Sequence, residues 1–252
     1  MISIFVPALN EERHIVATLD LIMGAAEASG LREYEILAFD DGSTDATGRL
    51  LDEYAAKHKV IRSIHNPVNL GLGASFHEAL RLARYEKLTW FAGDNNFAPE
   101  SMQALFGAVD VADVVTLYFV NTELRSRLRN LLSVMFSTIY LTVFDLHLKY
   151  IHGNSIFPVA ALRSMRLRST GYGCIAEAMV KLLRSGVTFH ELSGYMNANA
   201  EVSSQALRLK TLTGVMKDIL SLIYDVYFSE RQRYAHRPKR IYPGRLAAAS
   251  RH

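Results

Sequence analysis

Three carboxylates, a glycine and two hydroxyls fall within Asp40-Asp41-Gly42-Ser43-Thr44-Asp45, directly after the apolar run Tyr34–Phe39. Such a run followed by such a turn reads as a strand delivering polar groups at its C-terminal end, the edge where open α/β sheets bind ligands. Acids this close repel one another unless a cation or a set of donors answers them. Capping of the next helix by Asp45 or Ser43 is the plainer use of the same residues. Three more strand-like runs end in comparable groups. Ile2–Val6 leads into Pro7-Ala8-Leu9-Asn10-Glu11-Glu12, where Pro7 stops a ladder and Asn10 can cap a helix. Val60–Ile64 leads into a loop containing Asn69, Gly71 and Gly73, whose glycines open a helix and let backbone approach a phosphate. Leu88–Ala92 leads into Gly93-Asp94-Asn95-Asn96, oxygen donors that suit a Mg2+ or Mn2+ ion held mainly by substrate phosphates. One such turn is ordinary loop chemistry, whereas four on one sheet edge point to a nucleotide site.

The elements that must position these residues alternate. Strands are expected at Ile2–Val6, Tyr34–Phe39, Val60–Ile64, Leu88–Ala92 and Val111–Tyr118, with helices at Glu11–Ala28, Asp45–Lys57, Ala74–Tyr85 and Glu100–Ala108. Strand–helix–strand repetition means an α/β fold with a mostly parallel sheet flanked by helices. Beyond it, Leu124–Phe144 reads as one long helix carrying Arg125, Arg127 and Arg129 at its start. Its apolar stretch Leu131–Phe144 is shorter than the roughly 20 residues a membrane span needs, which leaves a core helix or one lying on a bilayer. Short strands at Tyr150–Ile151 and Ser155–Phe157, a helix at Ile175–Arg184, a strand at Thr188–Leu192 and an amphipathic helix over Ala206–Arg231 complete the expected order.

Half of the 252 residues are apolar and 21% are charged, a globular composition. Cys174 is the single cysteine, which excludes an intramolecular disulfide, argues against a cysteine-based zinc site and fits a cytoplasmic location. Met1 opens straight into a strand-like run, so no signal peptide is expected. Residues 201–252 hold ten Lys/Arg against four Asp/Glu, net +6, while the remaining 18 against 21 leave residues 1–200 at −3. On electrostatics alone that basic end suits nucleic acid or an anionic membrane surface.

The segments "VPALNEE", "FDDGSTDAT", "NLGLGA" and "FAGDNN", in this order and spacing, resemble the family 2 glycosyltransferases, and within them the dolichyl-phosphate mannose synthase-like branch. "GYGCIAEAMVKLLRSGVTFHEL" resembles a later block of that branch and makes Glu177 its conspicuous acid. The resemblance implies a GT-A, Rossmann-like catalytic domain over 1–200 and an amphipathic helix with basic tail over 201–252. It implies a nucleotide-diphosphate sugar donor, inverting transfer to a lipid or polyprenyl-phosphate acceptor at the cytoplasmic membrane surface, and no nucleic-acid partner; a homo-oligomer stays open. Pro7, Ala8, Asn10, Glu11, Asp40, Asp41, Gly42, Ser43, Asn69, Gly71, Gly73 and Gly93 would bind the donor. Asp94 and Asn96 would hold Mg2+ or Mn2+; Glu177 and Asp94 would be catalytic. Arg125, Arg127, Arg129 and His152 would meet the acceptor. In the plainer readings Glu177 is a surface acid paired with Lys181, the arginines line an exposed helix face, and His152 is a hydrogen-bonded loop residue. The sequence departs from the family at Leu9, at Asn96, where a carboxylate is usual, and at Ala198–Gln205, which lacks the family's basic residues; Arg208 and Lys210 lie just beyond. Two other functions compete: a nucleotidyltransferase, disfavoured by the absence of a Gly-rich basic signature at Pro7–Glu12, and a binding protein without turnover.

Overall fold

The computed structural model describes residues 1–198 and 209–242. Its strands are β1 (Ile2–Ala8), β2 (Tyr34–Asp40), β3 (Ile61–His65), β4 (Lys87–Trp90), β5 (Val114–Phe119), β6 (Ser155–Pro158), β7 (Thr188–Gly194) and β8 (Lys239–Arg240). They form one sheet in the order β3-β2-β1-β4-β6-β5-β7-β8. β6 runs antiparallel to β4 and β5, and the other pairings are parallel. The sheet is therefore mostly parallel, as the alternating sequence pattern requires.

Both faces of the sheet are covered, which is why β1 and β2 read as continuous rather than alternating apolar runs. Phe5, Leu37 and Phe39 pack with residues of α3 (Leu72–Leu82) and α7 (Cys174–Arg184). Ile4, Val6, Ile36 and Ala38 pack on the other side with α1 (Ile15–Ala28) and α4 (Pro99–Gly107), while α2 (Thr47–Lys57) contributes Leu51. β2 lies on one side of β1 and β4 on the other, so the chain reverses its winding direction between β1 and β4. That switch point opens a crevice at the strands' C-terminal ends. There the Gly93 N–H donates to Pro7 O (3.0 Å) and the Asp41 N–H to Ala8 O (2.9 Å), tying three of the four polar turns together.

Several boundaries differ from the sequence pattern. The first helix starts at Ile15 rather than Glu11, because Asn10 adopts φ 56° and the next residues turn toward the Ser43–Thr47 loop. The long helix α5 (Arg127–Val143) starts late because Ser126 caps it, its Oγ accepting the Arg129 N–H (3.3 Å). Tyr150–Ile151 is loop and turn, not strand, while a short α6 (Val159–Arg163) and the two-residue β8 were not expected. The last long helix, α8 (Leu209–Tyr224), passes into a π-turn at Asp225–Ser229 instead of continuing to Arg231. Ala206–Arg208, residues 199–205 and the tail cations Arg245 and Arg251 lie outside the described residues.

α5 is not a fully buried core helix. Leu128, Leu131, Val134 and Met135 are exposed on it, whereas Ser137 and Tyr140 are buried. α8 and its π-turn likewise bury Val215, Ile219, Leu222 and Val226 and expose Met216, Leu220, Tyr224 and Phe228. The Phe144 and Tyr227 rings stack at 6.1 Å, joining the C-terminal ends of the two elements. Among the described residues no helix is long and apolar enough to cross a membrane. Part of the basic C-terminal excess is answered within the fold: Arg237 pairs with Asp145 (3.4 Å) and Arg240 with Glu191 (2.8 Å).

Candidate active site

The acid turn after β2 is satisfied from inside the chain. Asp40 Oδ1 accepts the Ser43 N–H (2.9 Å), and Asp40 Oδ2 faces His65 Nδ1 (3.2 Å). Asp41 accepts the Asn66 side-chain amide (2.7 Å), the Leu70 N–H (3.0 Å) and the Gly71 N–H (2.9 Å). Asp45 accepts the Thr47 hydroxyl (2.6 Å) and the Glu12 N–H (3.2 Å). Burial pushes the Asp45 carboxyl up, but those hydrogen bonds outweigh it and hold it below the usual range. Of the two ways of answering the repulsion among these acids, local donors are the one present. Asn10 closes the junction: its N–H donates to Ser43 Oγ (2.9 Å) and its Oδ1 accepts the Thr44 N–H (2.8 Å).

The glycine loop before α3 is also engaged within the chain. The Gly73 N–H donates to Thr170 O (3.0 Å), and a Cβ at Gly73 would lie 2.5 Å from Ser169 O. Gly71, at φ +89°, gives its N–H to Asp41. These glycines admit the chain's own strap at Ser169–Thr170 and serve Asp41. Gly42, at φ +76°, makes way for the Val68–Asn69 backbone, and Asn69 itself is exposed.

What stays unanswered lies after β4. Asp94 Oδ1 is buried and has no hydrogen-bond partner among the described residues, while Asn96 donates its amide to Oδ2. Burial pushes the Asp94 carboxyl up, opposed by the Asn96 hydrogen bonds and the Arg129 charge. Burial first, then the charges of Asp94 and Asp45, push Glu11 up to about 7. Thr18, on the buried face of α1, fixes the turn: its hydroxyl donates to Gly93 O (3.0 Å) and accepts the Asn95 N–H (3.0 Å). Asn95 sits at φ 54°, a conformation that costs energy and clusters at functional turns. A buried carboxylate oxygen without a donor fits a divalent ion. No group of three or more His, Cys, Asp or Glu among the described residues is placed to hold a metal, so Mg2+ or Mn2+ would depend on Asp94 and on the ligand's own oxygens.

The expected acceptor residues divide. Arg129 is partly buried and acts electrostatically on Asp94; burial and the neighbouring Arg125 charge pull its guanidinium down. Arg125 lies over the Phe119 ring at 5.3 Å, with its Nε buried and unpartnered among the described residues. Arg127 is exposed. His152 meets the Tyr140 and Tyr150 rings edge-on, and burial pulls its imidazole down to about 4, so it is neutral at physiological pH.

Glu177 does not stand free in the crevice. Its carboxylate accepts the Arg168 N–H (3.0 Å) and the Ser169 N–H (2.8 Å) and pairs with Lys181 Nζ (2.8 Å). Lys181 is fully buried and also pairs with Asp225 (2.8 Å), which Arg168 grips with two further hydrogen bonds. The pairing with Lys181 at four residues' spacing is present, but in the core rather than on the surface. Glu177 therefore anchors the Ser169–Thr170 strap that caps α3. Asp225 lies 44 residues beyond Lys181, too far for any local pattern to signal this cluster.

A mostly parallel sheet with a switch point between β1 and β4, and an acid turn at the β4 end, defines a GT-A fold. The chain belongs to glycosyl transferase family 2, whose model matches residues 3–168. The structure of glucosyl-3-phosphoglycerate synthase from Mycobacterium tuberculosis in complex with Mg2+ and uridine-diphosphate is similar to it, with a TM-score of 0.67 at 19% identity, covering 88% of this chain and 79% of that one. The undecaprenyl-phosphate mannosyltransferase of Micrococcus luteus is 31% identical over 113 residues, 44% of each chain. The chondroitin synthase of Escherichia coli is 30% identical over 103 residues, 41% of this chain and 14% of its own. The chain thus spans less than half the length of these curated relatives.

Proposed function

We propose that the protein is an inverting glycosyltransferase that moves a sugar from a nucleotide-diphosphate sugar to a lipid or polyprenyl phosphate at the cytoplasmic face of a membrane. The observation that carries this reading is Asp94: a buried carboxylate oxygen without a donor among the described residues, at the switch point of a GT-A sheet, interacting electrostatically with Glu11 and Arg129. The Asp40–Ser43 turn, with Pro7 and Ala8 beside it, takes the base and ribose. Asp94, with Asn96, holds a divalent ion, which when bound neutralises the charge growing on the departing diphosphate. Arg129 and Arg125 place the acceptor phosphate. Glu177 has its carboxylate taken by Lys181 and two backbone N–H groups, which favours an acceptor that needs no base. A phosphate is already anionic and meets that need, whereas a hydroxyl does not.

The bilayer part of the reading is supported by the exposed apolar residues of α5 and α8, with exposed Lys217 and Arg231 nearby in sequence. Asn96 in place of a carboxylate favours one other reading, a sugar-nucleotide-binding protein without turnover. Transfer from nucleotide sugars to undecaprenyl phosphate, assayed with and without Mn2+, separates the two. Asp94→Ala should abolish transfer, and unchanged activity would sink the proposed role of Asp94. In parallel, the wild type should bind phosphatidylglycerol vesicles at low salt and Leu131→Glu/Leu220→Glu should not; a wild type that stays free in solution removes the membrane from the proposal.

A further inference from the structure

We infer that His65 and Asp52 are positioning residues for donor recognition: the imidazolium of His65, bridging Asp40 and Asp52, holds the Asp40 carboxylate in the orientation that meets the donor's base. This rests on the proposed role of Asp40 in donor binding. His65 ends β3 and is the register partner of Asp40 at the end of β2. Its Nδ1 lies 3.2 Å from Asp40 Oδ2 and its Nε2 lies 3.0 Å from Asp52 Oδ1 on α2. Asp52 is held in turn by the Ser63 hydroxyl (2.7 Å) and Asp40 Oδ1 by the Ser43 N–H (2.9 Å). Gly48, in the first turn of α2, closes the arrangement: a Cβ there would lie 2.6 Å from Asp40 Oδ2 and 3.4 Å from His65 Nδ1.

A neutral imidazole carries one N–H and can serve one carboxylate, whereas the imidazolium serves both. The charged groups facing His65 are Asp40 from β2 and Asp52 from α2, both negative. Burial pulls its proton affinity down, and the two carboxylates outweigh that and raise it. With both oxygens of Asp40 engaged, its remaining lone pairs point in fixed directions, so a base N–H finds an acceptor that need not be ordered on binding. Loss of one ring proton leaves one of the two carboxylates facing a nitrogen lone pair; in the tautomer that keeps its N–H on Nε2 for Asp52, Asp40 Oδ2 loses its donor and only the Ser43 N–H holds the carboxylate.

The test is calorimetric titration of UDP and GDP, in Mg2+, into the full chain between pH 5.5 and 8.5. Wild type, His65→Gln and Asp52→Asn are compared. Wild-type affinity should fall about threefold to tenfold as pH rises through the His65 titration, the loss of one charge-assisted hydrogen bond. His65→Gln should be weaker at pH 6 by that factor and lack this step. Asp52→Asn should keep the step and move it to lower pH. Glu11 titrates in all three proteins, so the difference between profiles isolates His65. Identical profiles for wild type and His65→Gln would overturn the inference, as would an NMR spectrum of the free protein showing His65 with a single ring N–H at pH 6. Failure of both diphosphates to bind the wild type at any pH, with His65 doubly protonated, would place the fault in the donor reading, and the inference would fall with it.

Discussion

Replacing Glu11 by Gln should stabilise the protein at pH 8 and leave it unchanged at pH 4. Burial and the charges of Asp94 and Asp45 raise the Glu11 carboxyl from 4.5 to about 7 in the folded chain. Below pH 4.5 folded and unfolded chains both hold the proton, so the group costs nothing. Between pH 4.5 and 7 the unfolded chain has released it while the folded chain retains it, so stability falls as pH rises. Above pH 7 the folded chain must carry the charge, and the cost is complete. At about 1.4 kcal/mol per pH unit the rise corresponds to about 3 kcal/mol. Solvent contact of the partly exposed side chain reduces this to about 1–2 kcal/mol. For a chain of this size the gain is about 2–8 °C in Tm. Urea unfolding followed by circular dichroism at pH 4 and pH 8 reads both limits. The same difference at both pH values, or a loss at pH 8, would refute the electrostatic account. Under the donor role proposed for Glu11, the stabilised variant should also bind the donor less well, the usual exchange between stability and function at a binding site.

Two further outcomes follow from the strap over α3. Lys181→Ala leaves the buried carboxylates of Glu177 and Asp225 without their shared cation and should cost about 3–5 kcal/mol in urea unfolding; a loss below about 1 kcal/mol would mean that Arg168 and the backbone donors hold the cluster alone. Gly73→Ala drives a methyl into Ser169–Thr170, whose backbone Glu177 pins, and should cost about 1–3 kcal/mol in Tm-derived stability. A neutral result there would show that the strap can withdraw.

The parallel sheet was legible because Ile2–Val6 and Tyr34–Phe39 carry the uninterrupted apolar character of strands covered on both faces, separated by helical periods. The four polar strand ends were legible for the same reason: once the strands are placed, the residues after them share an edge. Helix starts were less so. Ser126 caps α5 by a local hydrogen bond and so places its start beyond Leu124, and Asn10 turns toward a loop more than thirty residues away. Glu177 and Lys181 are four residues apart, so their pairing could be read. That they meet in the core depends on Asp225 and Arg168 arriving from other elements.

The sequence by itself determined the strand order's raw material, the polar turns and the family, because hydrophobic period and turn chemistry are local. The tertiary structure decided which of those polar groups are already satisfied. Asp40, Asp41 and Asp45 share one turn in the chain, yet their donors come from β3, from the loop before α3 and from the β1–α1 connection. Asp94 was one acid among several in the sequence, and only packing shows that one of its buried oxygens has no partner among the described residues. Whether a carboxylate repels or is at rest depends on the dielectric and the donors within a few ångströms, and those are set by residues far away along the chain.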